Sequence, residues 1–189
     1  MTLDRILPFT KYLLEKSIVA GDCVVDATCG NGYDTVFLSQ LVGDSGRVFA
    51  FDVQKEAIDA TDQRLKEVGI GYVDLILDGH ENVKQYVDSE IAAAIFNLGY
   101  LPGSDQTITT SGETTWAAVV DLLPLLKVGG LIILVIYHGH KAGKIERDQI
   151  ERLIETLDVG ATSVLKYEFL NKVSAPYMIA IEKTRHTQN

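Results

Sequence analysis

Short, continuously apolar runs alternate along the chain with longer stretches whose apolar positions recur at helical spacing. Ala92-Ala93-Ala94-Ile95-Phe96 and Leu131-Ile132-Ile133-Leu134-Val135-Ile136 contain no polar residue, the mark of strands covered on both faces by helices. The pattern predicts a first helix over Asp4–Glu15, with Pro8 in its first turn or at a kink. Strand–helix units follow. They are strand Cys23–Asp26 with helix Asp34–Leu41 closed by Gly43, and strand Arg47–Asp52 with helix Lys55–Val68 ended by Gly69. Strand Tyr72–Leu77 leads to a short helix over Glu81–Tyr86. Strand Ile91–Phe96, helix Thr114–Leu126, strand Gly130–Tyr137 and helix Ile145–Leu157 continue the alternation. Thr162–Leu170 and Pro176–Glu182 read as a closing antiparallel pair. The expectation is an α/β, Rossmann-like fold: a seven-stranded, mostly parallel sheet with helices on both faces.

At 189 residues, with 47% hydrophobic and 23% charged positions, the chain reads as one soluble globular domain over residues 1–189. Leu131–Tyr137 is too short to span a bilayer, and Met1–Arg5 lacks the apolar core of a secretion signal, so no membrane is expected. Cys23 and Cys29 flank one strand and imply no disulfide framework, which suits a reducing, cytoplasmic setting. A net charge of −9 argues against non-specific coating of nucleic acid. It leaves room for local basic patches at Arg5, Lys11 and Lys16 or over His138–Arg147, although solvated surface charge is the ordinary reading of the first. Gly99–Gly112 is the one long loop, and long loops in compact domains usually carry function.

Candidate chemistry gathers at the predicted strand ends. Asp26-Ala27-Thr28-Cys29-Gly30-Asn31-Gly32-Tyr33-Asp34-Thr35 leads from an apolar strand through a glycine-broken turn into a helix. Bare glycine backbone there lets N–H groups approach a ligand. Asp52 ends the next strand, and a glycine turn plus a carboxylate is how open α/β sheets hold a nucleoside-bearing cofactor. A dinucleotide fingerprint needs a third glycine where Thr35 stands, Asp34 would repel a pyrophosphate, and no Lys follows to make a phosphate loop. A cofactor with an amino group, a sulfonium and a ribose but no phosphate fits best: S-adenosyl-L-methionine. In a pocket for it, Asp52 is expected to take both ribose hydroxyls, Asp78 the adenine amino group, and Asp26 and Asp34 the methionine ammonium. Cys29, Gly30, Asn31, Gly32, Gln54, Gly79, His80 and Asn97 complete the expected cofactor set, with His80 either touching the cofactor or closing a turn. Cys29 is expected to pack rather than attack, and Trp116 to lie in the core or an interface.

The segment Asn97-Leu98-Gly99-Tyr100-Leu101-Pro102-Gly103-Ser104-Asp105 resembles the Asn/Asp-Pro-Pro-Tyr loop of amino-group methyltransferases, with Leu98 and Gly99 where that loop has its two prolines. It is therefore not the ordinary adenine-N6 motif. Together with Asp26–Asp34, the Thr-rich turn at Thr107, Thr109 and Thr110, and Tyr137-His138-Gly139-His140-Lys141-Ala142-Gly143-Lys144, the chain resembles one narrower family over nearly its whole length. These are small bacterial proteins first labelled rRNA methylases and since assigned as tRNA (mnm5s2U34) biosynthesis methyltransferases, of the class I S-adenosylmethionine-dependent fold. The resemblance implies methylation of the amino group of 5-aminomethyl-2-thiouridine at wobble position 34, giving 5-methylaminomethyl-2-thiouridine.

The residues suit such chemistry. An alkylamine attacks as the neutral base, so a site must aim its lone pair and accept its proton. Asn97 and neighbouring carbonyls could aim the amine, while Asp105, His138 or His140 could take the proton. Tyr100 or Tyr137 could stack on a splayed base, and Lys141, Lys144 and Arg147 could hold phosphates of the tRNA anticodon loop. No metal is expected, because His138 and His140 have no further thiol or imidazole beside them in sequence. A homodimer would enlarge the surface that an acidic chain offers to tRNA. Two alternatives stay open: methylation of rRNA or another amine on the same fold, and a non-catalytic cofactor-binding module that would leave Asn97 without a task.

Overall fold

The computed structural model describes residues 2–99, 110–139, 141–172 and 175–185, with the backbone alone for Lys141 and Ala142. Its strands are β1 (Cys23–Asp26), β2 (Arg47–Asp52), β3 (Val73–Leu77), β4 (Ile91–Leu98), β5 (Leu126–Ile136), β6 (Thr162–Tyr167) and β7 (Tyr177–Lys183). The helices are α1 (Ile6–Ser17), α2 (Tyr33–Val42), α3 (Lys55–Glu67), α4 (Gly112–Leu122) and α5 (Lys141–Ile154), with a short 3₁₀ helix over His80–Gln85. The strands form one sheet in the order β3-β2-β1-β4-β5-β7-β6. Pairing is parallel from β3 to β5 and antiparallel at β5–β7 and β6–β7, as the sequence pattern predicts.

Local chemistry sets the helix bounds. Pro8 sits in the first turn of α1, where a backbone N–H has no helical partner to lose. Ser111 caps α4 by accepting from the Thr114 N–H. That helix ends at Leu122 rather than at the expected Leu126, because Pro124 cannot continue it. The chain enters β5 at Leu126 instead, pairs it with Ile91, slips register, and resumes at Leu131 opposite Ala93. The terminal strands are displaced from the expected bounds: β6 stops at Tyr167, and β7 starts at Tyr177 and runs to Lys183.

Two apolar layers sandwich the sheet. On one face Ala94, Phe96, Leu98, Ile132, Leu134 and Ile136 pack under Ala118, Val119 and Leu122 of α4 and Ile150 of α5. On the other, Val24, Val48, Ala93, Ile95, Ile133 and Val135 pack under Ile6 and Leu14 of α1 and Leu38 and Val42 of α2. Trp116 is half-buried against the first layer. Strand β4 runs two residues beyond the expected Phe96, so Asn97 lies within it, opposite Val135. The two-residue period places Asn97 on the α1/α2 face with Ala93 and Ile95.

Gly130 marks the slip between β4 and β5. A methyl group there would sit 2.7 Å from the Ala92 carbonyl oxygen and 2.9 Å from that of Lys127, and both are backbone atoms that cannot swing away. Gly130→Ala is expected to destabilise the protein by about 1–3 kcal/mol, the usual cost of overpacking. Chemical denaturation measures it, and an unchanged midpoint would refute the packing account.

Candidate functional site

A cleft of about 1280 Å³ opens at the carboxyl ends of β1 to β4. Asp52 ends β2 and ties the glycine turn to its own strand: one carboxylate oxygen accepts from the Gly30 N–H at 3.0 Å, the other from the Gln54 N–H at 3.0 Å. Thr61 of α3 donates to the Gly30 carbonyl at 3.1 Å, and Arg64 donates to that of Asn31 at 2.6 Å. The Gly32 N–H donates to the Cys29 carbonyl at 2.8 Å. Both glycine N–H groups are thus engaged within the protein, contrary to the expectation that they face a ligand. Gly32 does not line the cleft. It has φ +79°, and a Cβ there would meet the Thr61 backbone at 2.9 Å, so its role is close packing of the turn on α3.

Asp26 departs from its expected position. It is fully buried beneath the turn, where Thr35 donates to it at 2.6 Å and the Thr28 N–H at 3.3 Å, and it does not line the cleft. Burial, reinforced by the nearby Asp34 charge, pushes its pKa up to about 7. Asp34 does line the cleft. It accepts from the Asn97 side-chain amide at 2.9 Å and faces Lys11 of α1 at 4.0 Å. Because the Asn97 Nδ2 points at that carboxylate, its Oδ1 is left as an acceptor. The Asn97 backbone N–H donates to Thr28 Oγ1 at 2.7 Å, stitching β4 to β1.

Asp78 accepts from the Gly79 N–H and from Asn82, each at 2.8 Å, and from the Tyr86 hydroxyl at 2.8 Å; these bonds hold its pKa down. Gly79 is buried away from the cleft. His80 lines the cleft, with Nδ1 3.2 Å from the Ala27 carbonyl. A carbonyl only accepts, so Nδ1 carries the proton and Nε2 is a bare acceptor. That Nε2 is buried without a partner among the described residues, and burial lowers the ring's pKa and keeps it neutral. Cys29, Asn31 and Gln54 also line the cleft, and burial raises the Cys29 thiol pKa, which makes it a poor nucleophile.

On the far side of the sheet switch the expected residues separate. Tyr137 reaches the cleft, whereas His138 points to the opposite face and packs against the Tyr177 ring at 5.5 Å. Strand parity explains this: His138 is two residues beyond Ile136 and shares its face. Arg147 is held by Asp148 at 2.7 Å, Lys144 is exposed on α5, and neither lines the cleft. Tyr100, Asp105 and His140, and the side chain of Lys141, lie outside the described residues. Sequence reasoning gave Lys11 to a surface basic patch and Leu7 no role at the site; one turn apart on α1, they close the cleft from above. It missed Tyr33, 64% exposed at the rim with the Arg64 guanidinium 3.7 Å over its ring. Their signals were faint: an i, i+4 pair outside the apolar stripe of α1, and an aromatic directly after the second glycine.

The chain matches the family model described as "Putative rRNA methylase" over residues 48–183. The chain belongs to the rRNA methylase family. A Clostridium thermocellum crystal structure carrying the same description shares 40% identity with this chain, covers 97% of it and 100% of its own chain, and superposes with a TM-score of 0.95. A Streptococcus mutans protein described as a methyltransferase, solved in complex with SAH, shares 37% identity over 96% of this chain and 99% of its own, with a TM-score of 0.88. The chloroplastic tRNA (mnm(5)s(2)U34)-methyltransferase of Arabidopsis thaliana is 37% identical over 180 residues, 89% of this chain. The chain spans 66% of that relative's length.

The fold is that of the class I methyltransferases, whose cofactor is S-adenosylmethionine, and the cleft suits that molecule. Asp34, Asp52, Asp78 and the orphaned His80 Nε2 all accept hydrogen bonds, matching a ligand rich in N–H and O–H donors and positively charged at sulfur. Lys11 is the sole cation lining the cleft among the described residues, and it faces Asp34, so a phosphate would find little welcome.

Asp26 gives the protein a pH signature. Folding raises its pKa to about 7, so between roughly pH 4 and 7 the folded chain holds a proton that the unfolded chain has released. Stability from this group is complete below that window and is lost as pH rises through it. Asp26→Asn, which mimics the protonated form, is expected to flatten the fall in melting temperature between pH 5 and pH 7. Thermal unfolding followed by circular dichroism tests this; parallel profiles for variant and parent would contradict it.

Proposed function

We propose that this methyltransferase acts on tRNA, converting 5-aminomethyl-2-thiouridine at wobble position 34 into its 5-methylaminomethyl form. The observation that carries the amine half of this reading is Asn97. Its amide nitrogen is committed to Asp34, so its oxygen is presented as an acceptor for an N–H at the end of β4, beside the cofactor cleft. A hydrogen bond from the amine to that oxygen orients the nitrogen lone pair, and such positioning is the main contribution a site makes to displacement at a methyl carbon. The wobble substrate is supported by the 37% identity to the Arabidopsis enzyme.

The chain's own residues divide the work. Asp52 takes the ribose hydroxyls while keeping its two backbone bonds, since each carboxylate oxygen has a second lone pair. His80 Nε2 and Asp78 accept from the remaining donors on the nucleoside side. S-adenosylmethionine supplies the electrophilic methyl group when bound. Asp34 faces the cationic end of that ligand and holds Asn97 in place. Tyr33, backed by Arg64, and Tyr137 offer ring faces at the rim for an unpaired base of the anticodon loop. Lys144, exposed on the helix that follows Tyr137 and Gly139, is placed for a phosphate. With tRNA as the substrate, we place the enzyme in the cytoplasm, the reducing setting that two free cysteines suit.

Asp52→Ala is expected to abolish cofactor binding in a calorimetric titration; full affinity in the variant would overturn the site assignment. Asn97→Ala is expected to keep cofactor affinity while turnover falls by about a hundredfold, the scale of a lost positioning contact. Nucleoside mass spectrometry of tRNA from a strain lacking the protein is expected to show 5-aminomethyl-2-thiouridine accumulating. An unchanged wobble nucleoside would reject the substrate.

A further inference from the structure

Glu146 of α5 is 2% exposed, and no Lys, Arg or His among the described residues forms an ion pair with it. It stands at the core-facing spacing of its helix, one and two turns before Ile150 and Ile154, both of which belong to the apolar layer on that face. Its partners are two hydroxyls. Thr110 donates to one carboxylate oxygen at 2.9 Å, and Thr115 of α4 donates to the other at 3.3 Å. Burial raises its pKa against the opposing pull of these two bonds. A buried carboxylate without a cation is expensive, and an apolar residue here would pack at lower cost. Stability therefore gives no reason for an acid at this position.

The connection to the cleft does. Thr110 Oγ1, while donating to Glu146, accepts from the Gly99 N–H at 3.0 Å, and the Thr110 N–H donates to the Gly99 carbonyl at 3.1 Å. Gly99 and Thr110 are thus clamped backbone to backbone, and both line the cleft. Gly99 has φ +155° and lies two residues after Asn97. The chain from helix α5 to the amine-facing strand end is continuous: Glu146, Thr110, Gly99, Leu98, Asn97.

We infer that Glu146 is a positioning residue for methyl transfer, fixing the backbone after β4 through Thr110 so that Asn97 presents its oxygen to the amine. This deepens the reading of the cleft given above and rests on it for the identity of the nucleophile. Removing the clamp should leave the cofactor half of the cleft, on the far side of β1, unaffected. The sharpest variant is Thr110→Val, which keeps the side chain's shape and removes the hydroxyl's bonds to Glu146 and to the Gly99 N–H; Glu146→Gln perturbs the same clamp from the other end.

Three measurements on the full chain decide it. In both variants kcat on aminomethylated tRNA is expected to fall about ten- to hundredfold, the cost of a small misplacement of a reacting group. The cofactor dissociation constant by calorimetry should stay within about twofold, and Thr110→Ser, which restores the hydroxyl, should recover most of the turnover. Hydrogen exchange on the RNA-free protein should show the Gly99 amide losing protection in Thr110→Val and keeping it in Thr110→Ser. Unchanged kcat, a cofactor affinity that weakens in step with kcat, or an unaltered Gly99 amide would each overturn the proposal. The exchange experiment uses no RNA, so it decides the Glu146 clamp even where the parent protein leaves tRNA unmethylated; that result would instead reject the substrate.

Discussion

Neighbouring strands β1 and β4 send their chains to opposite faces of the sheet: β1 leads into α2 beneath one apolar layer, while β4 leads towards α4 beneath the other. No connection can cover the gap between the two strand ends, so a crevice must remain there. What crosses it is a hydrogen bond from the Asn97 N–H to the Thr28 hydroxyl, next to one from the Ala27 N–H to the Ile95 carbonyl. Every functional group of the cleft is placed relative to this seam. The glycine turn and Asp52 lie on one side, Asn97 and its clamp on the other, and α1 roofs the gap with Leu7 and Lys11.

The electrostatics of the crevice follow from which groups remain unspent. The turn's glycine N–H groups are consumed by Asp52 and the Cys29 carbonyl, so no nest of donors is left for an anion. Carboxylates remain instead, and they repel one another. Asp26, buried beneath the turn and also near the Asp34 charge, holds its proton to about pH 7. A ligand with a positive sulfur and an ammonium relieves this crowding, whereas a pyrophosphate would add to it. The same glycine-turn scaffold that serves dinucleotides in other sheets is here tuned by side chains to a cationic nucleoside.

The β4 half of the cleft is built differently. It depends less on charge than on backbone registry: β4 continues through Leu98 because β5 pairs with it as far as Ile136, and Tyr137 extends the ladder with an N–H to the Leu98 carbonyl at 3.1 Å. The register slip at Gly129 and Gly130 precedes that pairing, so a packing feature at the bottom of the sheet determines which β4 residues reach the top. Asn97 and Tyr137 lie on the same face as a consequence.

Sequence alone determined the architecture, because buried strands and amphipathic helices differ in period, and that difference survives without any knowledge of neighbours. It also determined Asp52 and the glycine turn, since a strand-end acid and a strand-to-helix turn are local patterns. Parity within β5 already assigned His138 to the face away from Asn97, although that signal is easily overlooked beside a conspicuous pair of histidines. Tertiary structure alone decided which acids face the cleft and which are interred. Asp26 and Asp34 look equivalent in the sequence, yet one lies under the turn and the other on it. It alone brought Lys11, Tyr33 and Glu146 into relation with the site, because each acts across a gap between elements far apart in the chain. Contacts of that kind are set by how helices dock on a sheet, and docking depends on the whole assembled core rather than on any single stretch of residues.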